Sequence, residues 1–152
     1  MDNYVTYIRK MIGKKPMFLV GAGVIVQDNE DRVLMIKRTD NGKWGIPGGS
    51  LELGETFEDA AARELKEETG ITADRLNLFR VYSGERMRFV YPNGDVVYNA
   101  VCIFQTKNYT GIPKGDGIES SEVGFFPLEN LPNPLHPPDE IILEEYLKES
   151  NQ

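Results

Sequence analysis

Apolar residues recur at helical spacing near both ends of this 152-residue chain. Near the N-terminus, positions three or four apart are occupied by Tyr4, Ile8, Met11 and Ile12. This pattern predicts a short amphipathic helix over about residues 2–12, which ends at Gly13. Near the other end, Pro137 and Pro138 open a second apolar pattern, which predicts a C-terminal helix over about residues 138–149.

Runs of apolar, β-branched and aromatic residues between the two helices are typical of strands. The longest runs cover residues 18–26, 32–38, 76–88 and 96–106. A polar turn over residues 28–31 separates the first two runs, so we expect them to form a hairpin. A shorter run over residues 43–47 predicts a strand that leads into Gly48 and Gly49.

A further helix is predicted shortly after this glycine pair. Thr56 suits the N-cap position with Asp59 three residues later, which is a variant of the capping box, and Gly70 suits the position after the last turn. The apolar positions of this helix are Phe57, Ala61 and Leu65. They form a single stripe, which is typical of a helix that turns one face to the protein interior.

Three glutamates, Glu64, Glu67 and Glu68, overlap one edge of that stripe. Positions three and four apart are neighbours on a helix, so Glu64 faces both of the others and the like charges repel. The outer side of the helix holds Glu58, Asp59, Ala62 and Lys66. A cluster that only kept the protein soluble would lie on that outer side, so the placement favours a cleft. A divalent cation such as Mg²⁺ or Mn²⁺, which prefers carboxylate oxygens, would offset the repulsion.

The net charge of -7 disfavours a surface that coats a nucleic-acid polymer. The segment from Glu52 to Glu68 carries seven acidic and two basic residues, so it holds five of the seven net negative charges. The acidity therefore belongs to one site. Because an acidic site repels a negatively charged phosphate, it binds such a substrate only when bound metal ions make its electrostatic potential positive.

The length fits a single domain over residues 1–152, with a core of its own. Cys102 is the only cysteine, so no internal disulfide forms, and a cytoplasmic location is the default expectation. The N-terminal segment mixes charged with apolar residues, so we expect no signal peptide. No apolar run is long enough to span a bilayer, so we expect no membrane association.

The segment from Gly49 to Ile71 reads GSLELGETFEDAAARELKEETGI and resembles the Nudix box, Gly-x5-Glu-x7-Arg-Glu-U-x-Glu-Glu-x-Gly-U with U aliphatic. Its fixed positions are filled by Gly49, Glu55, Arg63, Glu64, Leu65, Glu67, Glu68, Gly70 and Ile71. So many fixed residues over such a span seldom coincide by chance. The flanking segments 44–49 and 122–132 are also similar to the family. The resemblance implies an α/β protein with the Nudix fold, a mixed β-sheet between α-helices.

The resemblance also implies roles for individual residues. Glu64, Glu67 and Glu68 would bind Mg²⁺ or Mn²⁺ together with the backbone carbonyl of Gly48. Arg63 would help to orient these carboxylates. The metal would polarise a water that attacks phosphorus and splits a diphosphate linkage.

The general base stays open between two sets of residues. Many Nudix enzymes draw an additional carboxylate from a later loop, and Glu119 and Glu122 lie in the matching region. Either of them also fits a plain surface residue. The alternative base is a glutamate of the box, Glu67 or Glu68.

Substrate contacts are less constrained by the sequence. Arg38, Arg86 and Arg88 are candidates for binding phosphate, and the last two are predicted to share one strand face. Trp44 is a candidate for stacking on a base, although aromatic residues on strands are usually core. Nudix enzymes for ADP-ribose often carry a proline about where this chain has Arg86, which weakens that choice of substrate.

Three functions are compatible with the sequence. The first is Mg²⁺-dependent hydrolysis of a nucleoside diphosphate linked to another moiety. The second is MutT-type hydrolysis of damaged nucleoside triphosphates. The third is a non-catalytic Nudix module that senses a nucleotide, which the complete box disfavours. We also predict a homodimer, because the N-terminal helix and the aromatic-rich strands offer apolar surface beyond one small core.

Overall fold

A computed structural model describes residues 3–151 of the chain. In chain order its elements are α1 (Tyr4–Ile12), β1 (Met17–Val26), β2 (Val33–Arg38), β3 (Trp44–Gly45), β4 (Gly48–Ser50), α2 (Phe57–Thr69), β5 (Thr72–Ala73), β6 (Asn77–Tyr82), a 3-10 helix (Glu85–Met87), β7 (Arg88–Val90), β8 (Val96–Thr106), β9 (Tyr109–Thr110), β10 (Ser120–Phe126) and α3 (Pro137–Ser150).

The central sheet has five strands in the order β4-β1-β8-β6, with β7 also paired to β8. It is mixed, because β1 and β8 run parallel while the other pairs are antiparallel. A second, antiparallel sheet has the order β10-β2-β3, and β5 pairs with β9. The predicted α/β class with a mixed sheet is confirmed.

The two faces of the central sheet pack against different helices. One face contributes Ile25 and Ile103 to a core shared with Tyr146 of α3. The opposite face contributes Val24 to a core shared with Leu65 of α2. Because side chains alternate across a strand, neighbouring residues of β1 and β8 feed these two cores in turn. The sheet therefore lies between α2 and α3.

The three predicted helices are present. Asn3 caps α1 by accepting a hydrogen bond from the Thr6 amide at 2.8 Å; residue 2, in the predicted helix, lies outside the described residues. In α2, the Thr56 hydroxyl accepts a hydrogen bond from the Asp59 amide at 3.0 Å, as predicted. Gly70 ends α2 with a left-handed φ of 77°, which favours glycine. No helix within residues 3–151 combines the length and apolarity that crossing a bilayer requires.

Two strand predictions are wrong. The expected hairpin of β1 and β2 does not form, since both edges of β1 are occupied by β8 and β4. Only a bridge between Gln27 and Val33 joins the two strands. The run over residues 76–88 is also broken after β6, where Gly84 has a φ of 98° and the 3-10 helix follows. Arg86 lies in that 3-10 helix and Arg88 begins β7, so the two do not share a strand face.

Candidate active site

The inner face of α2 turns from apolar to acidic where the helix meets β4, the strand that holds Gly48 and Gly49. Glu64 and Glu68 follow the buried stripe of the helix and are themselves only 8% and 4% exposed. The Glu68 carboxylate accepts a hydrogen bond from the Gly48 amide at 2.9 Å. A Cβ on Gly49 would lie 2.5 Å from the Glu64 carboxylate, so a larger residue there would force Glu64 to move. Gly49 thus leaves space for the Glu64 carboxylate beside β4, whereas a Cβ on Gly48 would lie 2.5 Å from the Ala22 carbonyl oxygen of β1.

Arg63 joins the acidic edge to the loop before α2. Its guanidinium donates two hydrogen bonds to the Glu55 carboxylate, at 2.7 and 2.9 Å. It also donates to Glu64 at 2.9 Å and to Glu67 at 3.3 Å. The hydrogen bonding to the Glu55 carboxylate is the main reason that the pKa of Arg63 is raised. Arg63 is therefore a cation held by Glu55 and in direct contact with the Glu64 carboxylate.

A third carboxylate reaches this edge from the loop before β10. Glu64, Glu68 and Glu119 each offer an oxygen atom, and these oxygens lie within 4.8 Å of one another. The Asp116 carboxylate shapes the loop by accepting hydrogen bonds from the amides of residues 118, 119 and 120. The Ser120 hydroxyl then donates to the Glu68 carbonyl at 3.0 Å and ties the loop to α2.

Burial works against the negative charges of this cluster. It raises the pKa of Glu68 to about 9, and the charge of Glu64 adds to the effect. Burial likewise raises the pKa of Glu64, against the opposing charge of Arg63, and the pKa of Glu119. Three crowded carboxylates form an oxygen donor set that fits a hard divalent cation. These residues could hold such a metal ion.

A second polar cluster lies where β2, the β2–β3 turn and the start of α3 meet. Asp40 accepts two hydrogen bonds from the Arg38 guanidinium, at 3.0 and 2.7 Å. Although burial opposes it, this partner lowers the pKa of Asp40. Asp139 in the first turn of α3 accepts a hydrogen bond from the Ile46 amide at 3.1 Å. Burial raises the pKa of Asp139 to about 6, although the charge of Arg38 opposes the shift.

His136 completes the second cluster as a neutral imidazole. Its Nδ1 lies 3.2 Å from the side-chain amide nitrogen of Asn41. Because that nitrogen only donates, Nδ1 is assigned as the acceptor. Burial, followed by the charge of Arg38, lowers the pKa of His136 to about 3. The imidazole also meets the Phe89 ring edge-on, with 4.6 Å between centroids.

Both clusters face one cavity of about 460 Å³, a volume typical of small-molecule sites. Its floor is the α3-side face of the central sheet, and α1 closes one side. The residues that line it include Asn3, Thr6, Leu19, Arg38, Asp40, Gly48, Glu64, Glu68, Tyr91, Asn99, Glu119, His136 and Asp139. A ligand in the cavity would contact the carboxylate cluster and the Arg38 cluster together.

Comparison with known families identifies the architecture. The model of the NUDIX domain family matches residues 17–146, which is most of the chain. The chain belongs to the NUDIX domain family. The resemblance carried by Gly49 to Ile71 is thereby confirmed, and α1 lies outside the matched domain.

Relatives of this Nudix protein are named as pyrophosphatases and phosphatases. An ADP-ribose pyrophosphatase of Methanocaldococcus jannaschii is 36% identical over 132 residues, which are 85% of this chain and 72% of the relative. The 8-oxo-dGDP phosphatase NUDT18 of Mus musculus is 33% identical over 126 residues, 78% of this chain but 35% of the relative. A MutT Nudix hydrolase from Burkholderia pseudomallei matches in structure with a TM-score of 0.71 and 30% identity, over 86% of this chain and 97% of its own. The chain is a Nudix-type pyrophosphohydrolase with the Nudix fold.

The structure brings part of the predicted site together. Gly48, Arg63, Glu64, Glu68 and Glu119 meet at the acidic edge, and Arg38 lines the same cavity in its pair with Asp40. Glu67 borders this group and is exposed, with its carboxylate turned to Arg63.

Four other predicted residues lie elsewhere. Glu122 on β10 is exposed and 3.7 Å from Lys37. Trp44 packs edge-on against Phe126 at 5.1 Å between ring centroids. Arg86 pairs with Glu145 of α3 at 2.9 Å, and Arg88 lies exposed on β7 beside Tyr98, on the sheet face opposite the cavity. Their roles in substrate binding or catalysis stay predictions.

Sequence reasoning missed His136 and Asp139, although both line the cavity. His136 has no sequence signal beyond its place before a proline. Asp139 has an indirect one, because a Cβ on Gly45 would collide with its carboxylate. A glycine directly after Trp44, within a short strand, therefore marks a close approach by another element.

Proposed function

We propose that this protein is a hydrolase that depends on Mg²⁺, with Mn²⁺ as the alternative ion, and splits the diphosphate linkage of a nucleoside diphosphate joined to another moiety. The observation that supports it most is the group formed by Glu64, Glu68 and Glu119, whose oxygens lie within 4.8 Å of one another at the wall of the cavity. When bound there, the metal would neutralise phosphate oxygens and polarise the attacking water. Glu64, Glu67, Glu68 and the Gly48 carbonyl are its proposed ligands.

The other residues of the site have proposed roles of their own. Arg63 holds the Glu64 carboxylate in place, since it is itself fixed by two hydrogen bonds to Glu55. Glu119 is more exposed than Glu64 and Glu68, and burial raises its pKa. Both properties suit a general base that takes a proton from water as the water oxygen attacks phosphorus. Glu122 fits this role less well because it is exposed beside Lys37.

The second cluster is proposed to bind the part of the substrate beyond the diphosphate. Arg38 supplies a fixed guanidinium near the carboxylates, with Asp40 as its partner. The ADP-ribose of the M. jannaschii relative's name is a nucleoside diphosphate joined to a sugar, which is the proposed substrate class. Arg86, in place of the proline often found in ADP-ribose enzymes, argues against that particular member of the class.

A second candidate function is MutT-type hydrolysis of nucleoside triphosphates. It is favoured by the similarity to a MutT Nudix hydrolase at 30% identity, and the mouse relative is named for an oxidised nucleotide. A nucleotide-sensing role is disfavoured because every fixed position of the box is filled. We further propose a single domain over residues 1–152, a cytoplasmic location inferred from the lone cysteine, and a homodimer.

A substrate panel tests the proposed chemistry. Nucleotide sugars, dinucleotides and normal and oxidised nucleoside triphosphates are each incubated with the protein and Mg²⁺, Mn²⁺ or EDTA, and released phosphate-containing products are quantified. We expect metal-dependent turnover that is fastest on a nucleoside diphosphate joined to another group. Fastest turnover of a triphosphate would establish the MutT-type alternative. Absence of metal-dependent turnover on every compound would overturn both.

A further inference from the structure

The α2-side face of the central sheet is only partly covered. Five exposed apolar side chains lie on it, and together they define the open sheet face: Phe18, Val20, Leu78, Val81 and Val90, which are 74%, 43%, 56%, 59% and 44% exposed. They come from three strands that are far apart in sequence.

Strand register places all five on the same side. Each of them is paired with an even-numbered residue of β8. The pairs are Phe18 with Tyr98, Val20 with Ala100, Leu78 with Phe104, Val81 with Cys102 and Val90 with Val96. Residues directly opposite each other on paired strands point to one face, and alternate residues of one strand share that face. The cavity lies on the other side of the sheet, below Leu19 and Asn99.

The helix α2 protects only one part of this face. Ala22, Val24 and Phe104 are buried against Ala61 and Leu65. Beyond them, toward β7 and the start of β1, no element within residues 3–151 packs over Phe18 or Val90, which remain exposed. Contiguous exposed apolar patches on soluble proteins mark interaction surfaces.

Two opposite charges border the open sheet face. Arg88 stands opposite Tyr98 on the same face, at its β7 end. Glu58 lies in the first turn of α2, near enough to Cys102 that its charge, after burial, raises the pKa of the thiol. Within the described part of the chain, neither side chain forms a hydrogen bond or ion pair, whereas Arg80 and Arg86 both pair with Glu145.

A patch with a cation at one end and an anion at the other is complementary to itself. Under a two-fold rotation about its centre, the cationic end of one copy meets the anionic end of the other. The apolar side chains between them then pack together, which matches an interface with an apolar centre and a polar rim. This charge arrangement selects a second copy of the chain over a partner of unrelated charge.

We propose that the open sheet face is the interface of an isologous homodimer, in which Arg88 of each copy pairs with Glu58 of the other. The inference rests on the homodimer proposed above and specifies its surface. The cavities lie on the outer sides of the two sheets, so dimer formation leaves both open to substrate.

Charge reversal provides a sharp test of this surface. Arg88→Glu and Glu58→Arg each bring like charges together twice in one dimer, and each is expected to weaken self-association roughly 100-fold. When the two variants are mixed, both contacts become complementary again. We therefore expect a heterodimer of Arg88→Glu with Glu58→Arg, measured by native mass spectrometry on differently tagged proteins and by light scattering.

Control variants distinguish loss of this interface from a general effect of charge reversal and from unfolding. Lys148→Glu reverses a charge on α3, on the other side of the sheet, and is expected to remain dimeric. Phe18→Ser is expected to be monomeric with an unchanged circular dichroism spectrum, because Phe18 is 74% exposed and supports no core. A monomeric wild type at micromolar concentration would overturn the homodimer itself. A dimeric wild type whose Arg88→Glu and Phe18→Ser variants dimerise equally well would overturn this surface only.

Discussion

Two clusters of charged side chains line one cavity, and they are balanced in opposite ways. In the first, Glu64, Glu68 and Glu119 crowd together and each has a raised pKa, chiefly because it is buried. In the second, Arg38 and Asp40 form a paired unit in which the cation lowers the pKa of the acid.

This difference indicates which of the two clusters is suited to bind a cation. Mutual repulsion in the carboxylate cluster costs stability in the free protein, and a bound cation would recover it. The Arg38–Asp40 pair already satisfies its own charges, so it holds a fixed shape without a ligand. We interpret the first cluster as the catalytic centre and the second as a preformed recognition surface.

The largest expected effect is a loss of kcat on substitution of Glu119, the carboxylate of the cluster that does not come from α2. If Glu119 is the general base, Glu119→Gln should lower kcat by about 10²- to 10⁴-fold, since an amide does not take the proton from water. Glu122→Gln is the matched control, because Glu122 lies three residues further along the chain, on β10, and is exposed. Steady-state kinetics on the best substrate of the panel measures both.

Metal binding by the same variants settles how Glu119 acts. As a base, it should leave the Mg²⁺-induced rise in melting temperature nearly unchanged in Glu119→Gln. A lost rise would instead make Glu119 a metal ligand. Full turnover by both the Glu119 and Glu122 variants would move the role of the base to Glu67 or Glu68.

Glu68→Gln is expected to have the next largest effect. It keeps the side-chain shape and an oxygen for the Gly48 amide, yet removes a proposed metal ligand, so kcat should fall on the order of 10²- to 10³-fold. The metal-free variant should melt at a higher temperature than metal-free wild type at neutral pH. The reason is that a carboxyl with a pKa raised to about 9 costs stability once the pH exceeds its unfolded-state pKa.

Thermal melts with EDTA and with excess Mg²⁺ check this prediction. The wild type should respond to Mg²⁺ and the variant much less. Glu67→Gln is the control on the same helix, since Glu67 is exposed and pairs with Arg63, and its metal-free melt should change little. Equal Mg²⁺ responses in wild type and Glu68→Gln would show that Glu68 is not a ligand; a lower metal-free melt would show that a protein partner satisfies its charge.

The sequence was sufficient where the signal is local. The caps and the apolar stripe of α2 lie within fifteen residues of one another, from Thr56 to Gly70, and they correctly placed Glu64 and Glu68 at the buried edge. The β1–β2 hairpin failed because the pairing of β1 with β8 joins segments about eighty residues apart, and turn signals carry no information on such pairing.

The second cluster could not be predicted from the sequence for the same reason. Its hydrogen bonds join Asn41 to His136 and Ile46 to Asp139, residues that are 95 and 93 positions apart. Separating Glu119 from Glu122 also required the structure, since β10 has a register shift between Ser120 and Glu122. The resemblance to the family pointed to both glutamates, and only the loop geometry brings one of them to the cluster.

The smallest expected effect is the pH dependence of the free energy of unfolding that the second cluster contributes. The folded state holds a proton on Asp139 up to about pH 6, whereas the unfolded chain releases it near pH 4. Across that window the wild-type free energy of unfolding should lose about 3 kcal/mol as the pH rises. Asp139→Asn does not titrate, so its free energy of unfolding relative to wild type should rise by about that amount from pH 4 to pH 7.

Urea unfolding of the metal-free proteins at a series of pH values measures this difference. His136 has the opposite dependence, because its lowered pKa makes stability increase with pH, but it is present in both proteins and cancels. Asp40→Asn supplies the contrast within the same cluster. Arg38 lowers the pKa of Asp40, so the wild type gains stability only as the pH rises toward the unfolded-state pKa near 4, and both states are ionised above it. From about pH 5 to pH 6 the Asp139→Asn difference should therefore still rise while the Asp40→Asn difference stays nearly flat. Two flat curves would mean that Asp139, like Asp40, is stabilised as a carboxylate, and that the second cluster carries one more negative charge than its geometry indicates.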